Sequence, residues 1–237
     1  MERVLDVEGD TSLEIFGTAE DLAEVQKRPL FRARLALEMA TSQLTSESSG
    51  IDFLLVSGGV SLSYVYLEMG DFNAALLHAE RVLSYTVQLR NDSDIDIAQA
   101  TMLKRQEATV RMYACEASAM LGESTKSMKF IAGDGQKDAI DRLASDLAGV
   151  TLQTAATDAR AKARLAKTSA MVRCSASAAS ACLGNTSAAK QLALSAQAME
   201  NSYSISREKS SARKALLYSM LGEGNHGAAL SLLRSAR

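Results

Sequence analysis

Tryptophan is absent from this 237-residue chain, proline occurs once, at Pro29, and aromatic residues make up 5%. A sheet sandwich draws its core from aromatic and β-branched residues and its turns from proline, so this composition argues against one. Histidine occurs twice, at His78 and His226, and neither has a cysteine or carboxylate at ligand spacing. No metal or cofactor site is therefore expected. No apolar run approaches about 18 residues, which leaves no transmembrane helix, and the acidic N-terminus shows no signal-peptide pattern. The net charge of −2 gives no general pull toward nucleic acid or an anionic membrane. Cysteine is scarce and odd in number, at Cys115, Cys174 and Cys182, all within Ala/Ser stretches. That suits reduced, mostly buried thiols in a cytosolic or nuclear protein. No nucleophile with a placed base is visible, so an enzyme is not expected. Gly58-Gly59 lacks the following Lys-Ser/Thr of a phosphate loop.

What the chain has in quantity is Ala, Leu, Glu, Lys, Arg and Met, which favours helix nearly throughout. One local pattern recurs. Gly70-Asp71 follows the helically spaced Leu62, Val65, Tyr66 and Met69, and precedes Phe72, Ala75, Leu76, Ala79, Val82 and Leu83 on one face. A glycine past a helix end takes positive φ without a Cβ clash, and the aspartate suits the N-cap of the next helix. Gly184-Asn185 and Gly224-Asn225 repeat the layout, with Ala-Ala beginning three residues after the Asn, and Gly122-Glu123 is a weaker copy. One corner used four times marks a helical repeat protein.

The spacing predicts helices over 30–46, 51–69, 71–89, 95–121, 124–131, 157–183, 186–201, 207–222 and 226–236, with 136–156 of uncertain path. Thr18 and Asp21 resemble a capping box that starts a short helix to about Lys27. Residues 1–17 carry Glu2, Asp6, Glu8, Asp10 and Glu14 against Arg3, which reads as an acidic flexible arm. The corner glycines Gly70, Gly122, Gly184 and Gly224 step by 52, 62 and 40 residues. A strict tetratricopeptide (TPR) array would step by about 34. The expected fold is all-α: a TPR-like superhelix (α-solenoid) over residues 18–237, with insertions at 90–104 and 133–164.

The blocks Tyr64-Val65-Tyr66-Leu67-Glu68-Met69-Gly70-Asp71 and Ala75-Leu76-Leu77-His78-Ala79-Glu80-Arg81-Val82-Leu83 resemble the C-terminal TPR region of the subunit-10 family of the carbon-catabolite-repression–NOT (CCR–NOT) deadenylase complex. Met112-Tyr113-Ala114-Cys115-Glu116-Ala117, Ala188-Ala189-Lys190 and Gly224-Asn225 through Arg234 resemble later blocks of that family, in the same order. The resemblance covers roughly residues 50–237. It implies a non-catalytic scaffold subunit without cofactors, acting in mRNA decay in the cytoplasm. Its implied partners are subunit 11 and the N-terminal region of the large NOT scaffold subunit, with no membrane and no direct contact to nucleic acid.

The repeat register places Ser57, Val60, Tyr64, Leu67 and Glu68 on the concave side of the first pair, and Thr109, Met112, Glu116, Ala119 and Met120 in the second. Met171 and Cys174 follow in the third pair, and Lys214, Tyr218 and Leu221 in the last. From these, Val60, Tyr64, Leu67, Met112, Glu116, Met120, Met171, Lys214 and Tyr218 are the candidate protein-binding residues, because apolar side chains on a groove imply a cover. A register one residue off would make the same set ordinary core. Arg160, Arg164 and Lys167 share a helix side and could meet RNA phosphate or an acidic protein surface, or be a solvated face. A TPR module of another assembly, such as a trafficking complex, and an RNA-binding repeat are the competing readings.

Overall fold

Four glycines organise the fold. Gly70, Gly122, Gly184 and Gly224 all have positive φ, between 69° and 80°. Each ends a helix with the same pair of bonds. At the first corner Gly70 N–H donates to the Leu67 carbonyl and Asp71 N–H to the Tyr66 carbonyl, at 3.1 and 3.0 Å. That pair satisfies carbonyls the helix itself cannot, and it turns the chain back in two residues. The carboxylate or amide of Asp71, Asn185 and Asn225 then caps the next helix, accepting from Ala74, Ala188 and Ala228 N–H, each at 3.1 Å. Glu123, one methylene longer, shows no such cap and pairs with Lys126 instead.

The computed structural model describes residues 29–42, 51–90, 95–132, 138–202 and 211–234, and among them there are eleven helices and no strand. They are α1 (Pro29–Ser42), α2 (Ile51–Met69), α3 (Phe72–Arg90), α4 (Ile97–Met120), α5 (Ser124–Ala132), α6 (Ala139–Ala148), α7 (Leu152–Thr157), α8 (Ala159–Cys182), α9 (Thr186–Ser202), α10 (Ser211–Gly222) and α11 (His226–Arg234). The acidic arm at 1–17, the capping box at Thr18, the turn at 45–50 and Gly133–Gly135 lie outside the described residues. The stretch of uncertain path resolves into α6 and α7, with Gly149 at φ 62° ending α6. The insertion expected at 90–104 is partly the first turns of α4, which opens on a capping box between Asp96 and Gln99.

Packing follows the corners. α2, α4, α8 and α10 lie against one another in that order. α3 fills the groove between α2 and α4, α5 that between α4 and α8, and α9 that between α8 and α10. α6 lies on α4 and α8, and α1 covers α2. Pairs that bridge neighbours set the register: Gln106 donates to Ser57 Oγ at 2.6 Å, the Cys115 thiol to the Ser175 carbonyl at 3.5 Å, and the Ser177 hydroxyl lies 3.2 Å from the Ala215 carbonyl. Two neighbouring cores result. One gathers Val56, Leu62, Leu76, Val82, Leu103 and Val110; the other gathers Met112, Cys115, Ile131, Leu143, Leu147 and Val172.

Alanine abundance has its physical reason here. Ala170, Ala193, Ala196, Ala212 and Ala215 are buried where α8, α9 and α10 meet, and small side chains let helix axes approach closely. The Gly58-Gly59 pair plays the same part. A Cβ on Gly58 would stand 2.6 Å from Thr41 Cγ2 of α1, and one on Gly59 would stand 2.4 Å from Val82 Cγ2 of α3. The two glycines are notches for the helices on either side of α2.

Candidate functional site

The side chains that the corners bring together lie on the face shared by α2, α4 and α10. Glu116, in α4, is buried at 6% exposure. It accepts a hydrogen bond from the Tyr218 hydroxyl of α10 at 2.5 Å and forms an ion pair with Lys214, one turn earlier on the same helix. The Lys214 ammonium also stands 5.8 Å from the Tyr218 ring centroid. Residues 102 apart in sequence are thus joined through a single carboxylate. Burial works against the charge on Lys214, yet Glu116 more than offsets it and holds the ammonium above the ordinary lysine value. Burial, then the Glu116 charge and hydrogen bond, push the Tyr218 phenol far up.

Beside this group, Tyr64 of α2 and Tyr113 of α4 lie with ring centroids 5.7 Å apart and planes tilted by 38°. Burial pushes the Tyr113 phenol up to about 12, with Tyr64, Glu116 and Glu68 adding to the rise. Tyr64 is 44% exposed. Glu68, one turn beyond it on α2, is exposed.

The expected binding residues divide by depth. Tyr64 is exposed; Val60, Met120, Met171, Lys214 and Tyr218 are half-buried. Leu67 and Met112 are corrections: both were expected on an open groove, and both are core, at 7% and 5% exposure. Leu67 packs into the cluster between α2, α3 and α4, and Met112 into the one between α4, α6 and α8. At these turns the more exposed side chain is the next residue along, Glu68 and Tyr113. Tyr113 was not among the expected binding residues, although a Tyr four residues before the Ala117 packing position carried the signal. Glu116 is buried as an ion-pair centre rather than offered at the surface.

Arg160, Arg164 and Lys167 are exposed along one stripe of α8 and make no ion pair among the described residues. Arg173, further along α8, pairs with Asp141 of α6 at 3.0 Å. Lys162 lines a separate open cleft of about 730 Å³ between α6, α8 and α9, together with Asp141, Ser169, Ser195 and Met199.

Among the cysteines, Cys115 and Cys174 are buried as expected, whereas Cys182 is exposed. Burial pushes the Cys115 thiol up to about 12 and raises Cys174 as well, the opposite of what a reactive thiolate requires. Among the described residues no three His, Cys, Asp or Glu side chains cluster at metal-binding distance. His78 stacks on Tyr66, with centroids 5.3 Å apart, and Tyr66 donates to Glu38 of α1. His226 opens α11 at the surface. No described helix is long and apolar enough to cross a membrane. No protein-family model, curated protein or solved structure matches the chain.

Proposed function

We propose that the chain is a TPR-like helical-repeat scaffold that binds protein partners on the face of α2, α4, α8 and α10 and performs no chemistry of its own. The observation that carries this reading is the corner used four times, with the same glycine and the same pair of terminal hydrogen bonds. It is supported by the packing order, in which the first helix of each pair lies against the first helix of the next while the second helix fills the groove between them. Such stacking exposes one continuous face for partners. Tyrosines are favoured binding anchors because they combine large contact area with few rotatable bonds, and Tyr64, Tyr113 and Tyr218 all stand on this face.

For the assembly, the resemblance of the corner blocks points to CCR–NOT, with the large NOT scaffold subunit and subunit 11 as partners. Affinity purification of the full chain followed by mass spectrometry tests it. Recovery of both subunits, weakened by Tyr64→Glu at unchanged helical content, is the expected result. Their absence removes this assembly and favours a TPR module of another complex. A second reading, RNA contact through Arg160, Arg164 and Lys167, is favoured by their exposure on one stripe without ion-pair partners among the described residues. Binding to single-stranded RNA at low salt that charge reversal at these three positions abolishes would support it, and no binding at low salt removes it.

A further inference from the structure

Two sets of side chains with the same chemistry stand next to one another on the proposed binding face. In the first, a tyrosine and a glutamate share a cation: Lys214 pairs with Glu116 and lies 5.8 Å from the Tyr218 ring centroid. In the second, the rings of Tyr64 and Tyr113 lie 5.7 Å apart, with Glu68 one turn from Tyr64. Here no cation among the described residues forms an ion pair with the group, although the Lys214 ammonium feels the Glu68 charge. Glu68 is exposed and has no hydrogen-bond or ion-pair partner among the described residues. The charges that act on Tyr113 are the carboxylates Glu116 and Glu68. Lys214 feels both Glu116 and Glu68, so one ammonium stands against two carboxylates and this part of the face keeps a net negative charge.

A cation is attracted to the face of a tyrosine ring, and a carboxylate beside the ring adds a charge-assisted bond. An acidic side chain would be repelled by Glu68, and an aliphatic one would leave the carboxylate without use. We propose that Tyr64, Tyr113 and Glu68 form a recognition site for one basic side chain, arginine or lysine, carried by a protein segment that lies across this face. The proposal rests on the reading of the face as protein-binding and names the chemistry the partner brings to it. Lys214 is the chain's own example of the contact, with its carboxylate partner in α4 and its ring one turn along α10.

The test is a selection of random dodecamer peptides, displayed on phage, against the immobilised full chain. Selected peptides are then measured by fluorescence anisotropy against wild type and against Tyr64→Phe, Tyr64→Leu and Glu68→Lys. Tyr64 and Glu68 are exposed, so these variants keep the fold, which circular dichroism checks. The expected peptides are enriched in arginine or lysine. Replacing that residue by alanine raises Kd about tenfold, Tyr64→Leu does so by a similar factor, and Glu68→Lys removes binding. Tyr64→Phe stays within about twofold of wild type, because the ring rather than the hydroxyl meets the cation. Peptides that depend on Tyr64 but carry no basic residue overturn this inference and leave the protein-binding reading standing. Acidic peptides that depend on Arg164 also overturn it. Peptides indifferent to both Tyr64 and Glu68, or no peptide above background, overturn both.

Discussion

Removing the Lys214 charge should destabilise the protein more than removing the Glu116 charge, although the two form one ion pair. The asymmetry follows from depth. The Lys214 side chain is 42% exposed and that of Glu116 only 8%. In Glu116→Gln the lysine swings into water, and the amide still accepts from Tyr218, so the loss is about 1 kcal/mol, the scale of one ordinary hydrogen bond. In Lys214→Met the carboxylate remains buried with Tyr218 as its single strong partner. Breaking a buried pair on one side costs about 3–5 kcal/mol. Water entering where the lysine lay reduces that to roughly 2–3 kcal/mol, or a Tm lower by about 5–10 °C in a chain of this size. The assay is urea unfolding of the full chain for both single variants and the double variant. The double variant should be less destabilised than the sum of the singles by at least about 1 kcal/mol, since the buried charge is then gone. Additive losses, or a Lys214→Met value within about 0.5 kcal/mol of wild type, would refute the reasoning.

Other positions respond in ways that separate backbone from packing effects. Gly59→Ala gains about 1 kcal/mol of helix propensity but drives a methyl to 2.4 Å from Val82 Cγ2; overpacking costs about 1–3 kcal/mol, so a net loss in urea unfolding is expected, relieved by Val82→Ala. At Gly70 a Cβ meets nothing within 4 Å, yet Gly70→Ala should still cost about 1–2 kcal/mol, because φ is 80°. Glu123→Asp supplies the cap that the second corner lacks and should raise thermal stability by up to about 1 kcal/mol; an unchanged Tm would count against the cap argument. His78 is held below its ordinary value of 6.5 by burial first and then by Arg81, with Glu38 and Asp71 opposing. Below that value the unfolded chain binds more protons than the folded one, so stability is present above pH 6.5 and falls as pH drops through it. The urea midpoint should fall between pH 7.5 and about 5.5, and His78→Gln should flatten that dependence.

The corners and the helices around them were legible in the sequence because they are local. Glycine at the helix end and Asp or Asn after it act within a few residues, and the bounds of α2 at Ile51–Met69 and α9 at Thr186–Ser202 agree with the spacing to within one residue. The stretch 136–156, whose path the spacing left uncertain, was not legible as two helices, since Gly149 and the Thr151 cap interrupt its apolar period. The candidate face was half legible. Tyr64 is exposed and Lys214 is half-buried against Glu116, whereas Leu67 and Met112 were assigned to the groove and belong to the core. Neighbouring positions on a helix differ by about 100°, so an error of one residue exchanges a groove residue for a buried one.

Composition and period alone determined that the chain is helical, where its helices turn back and which residues cap them, because each of these depends on contacts within one or two turns. The tertiary structure decided which face each helix buries, why Gly58-Gly59 is a packing notch between α1 and α3, and that Glu116 meets a lysine and a tyrosine 98 and 102 residues away. Those outcomes depend on which helices become neighbours, and burial makes the pairing of a charge obligatory only once the neighbours are in place.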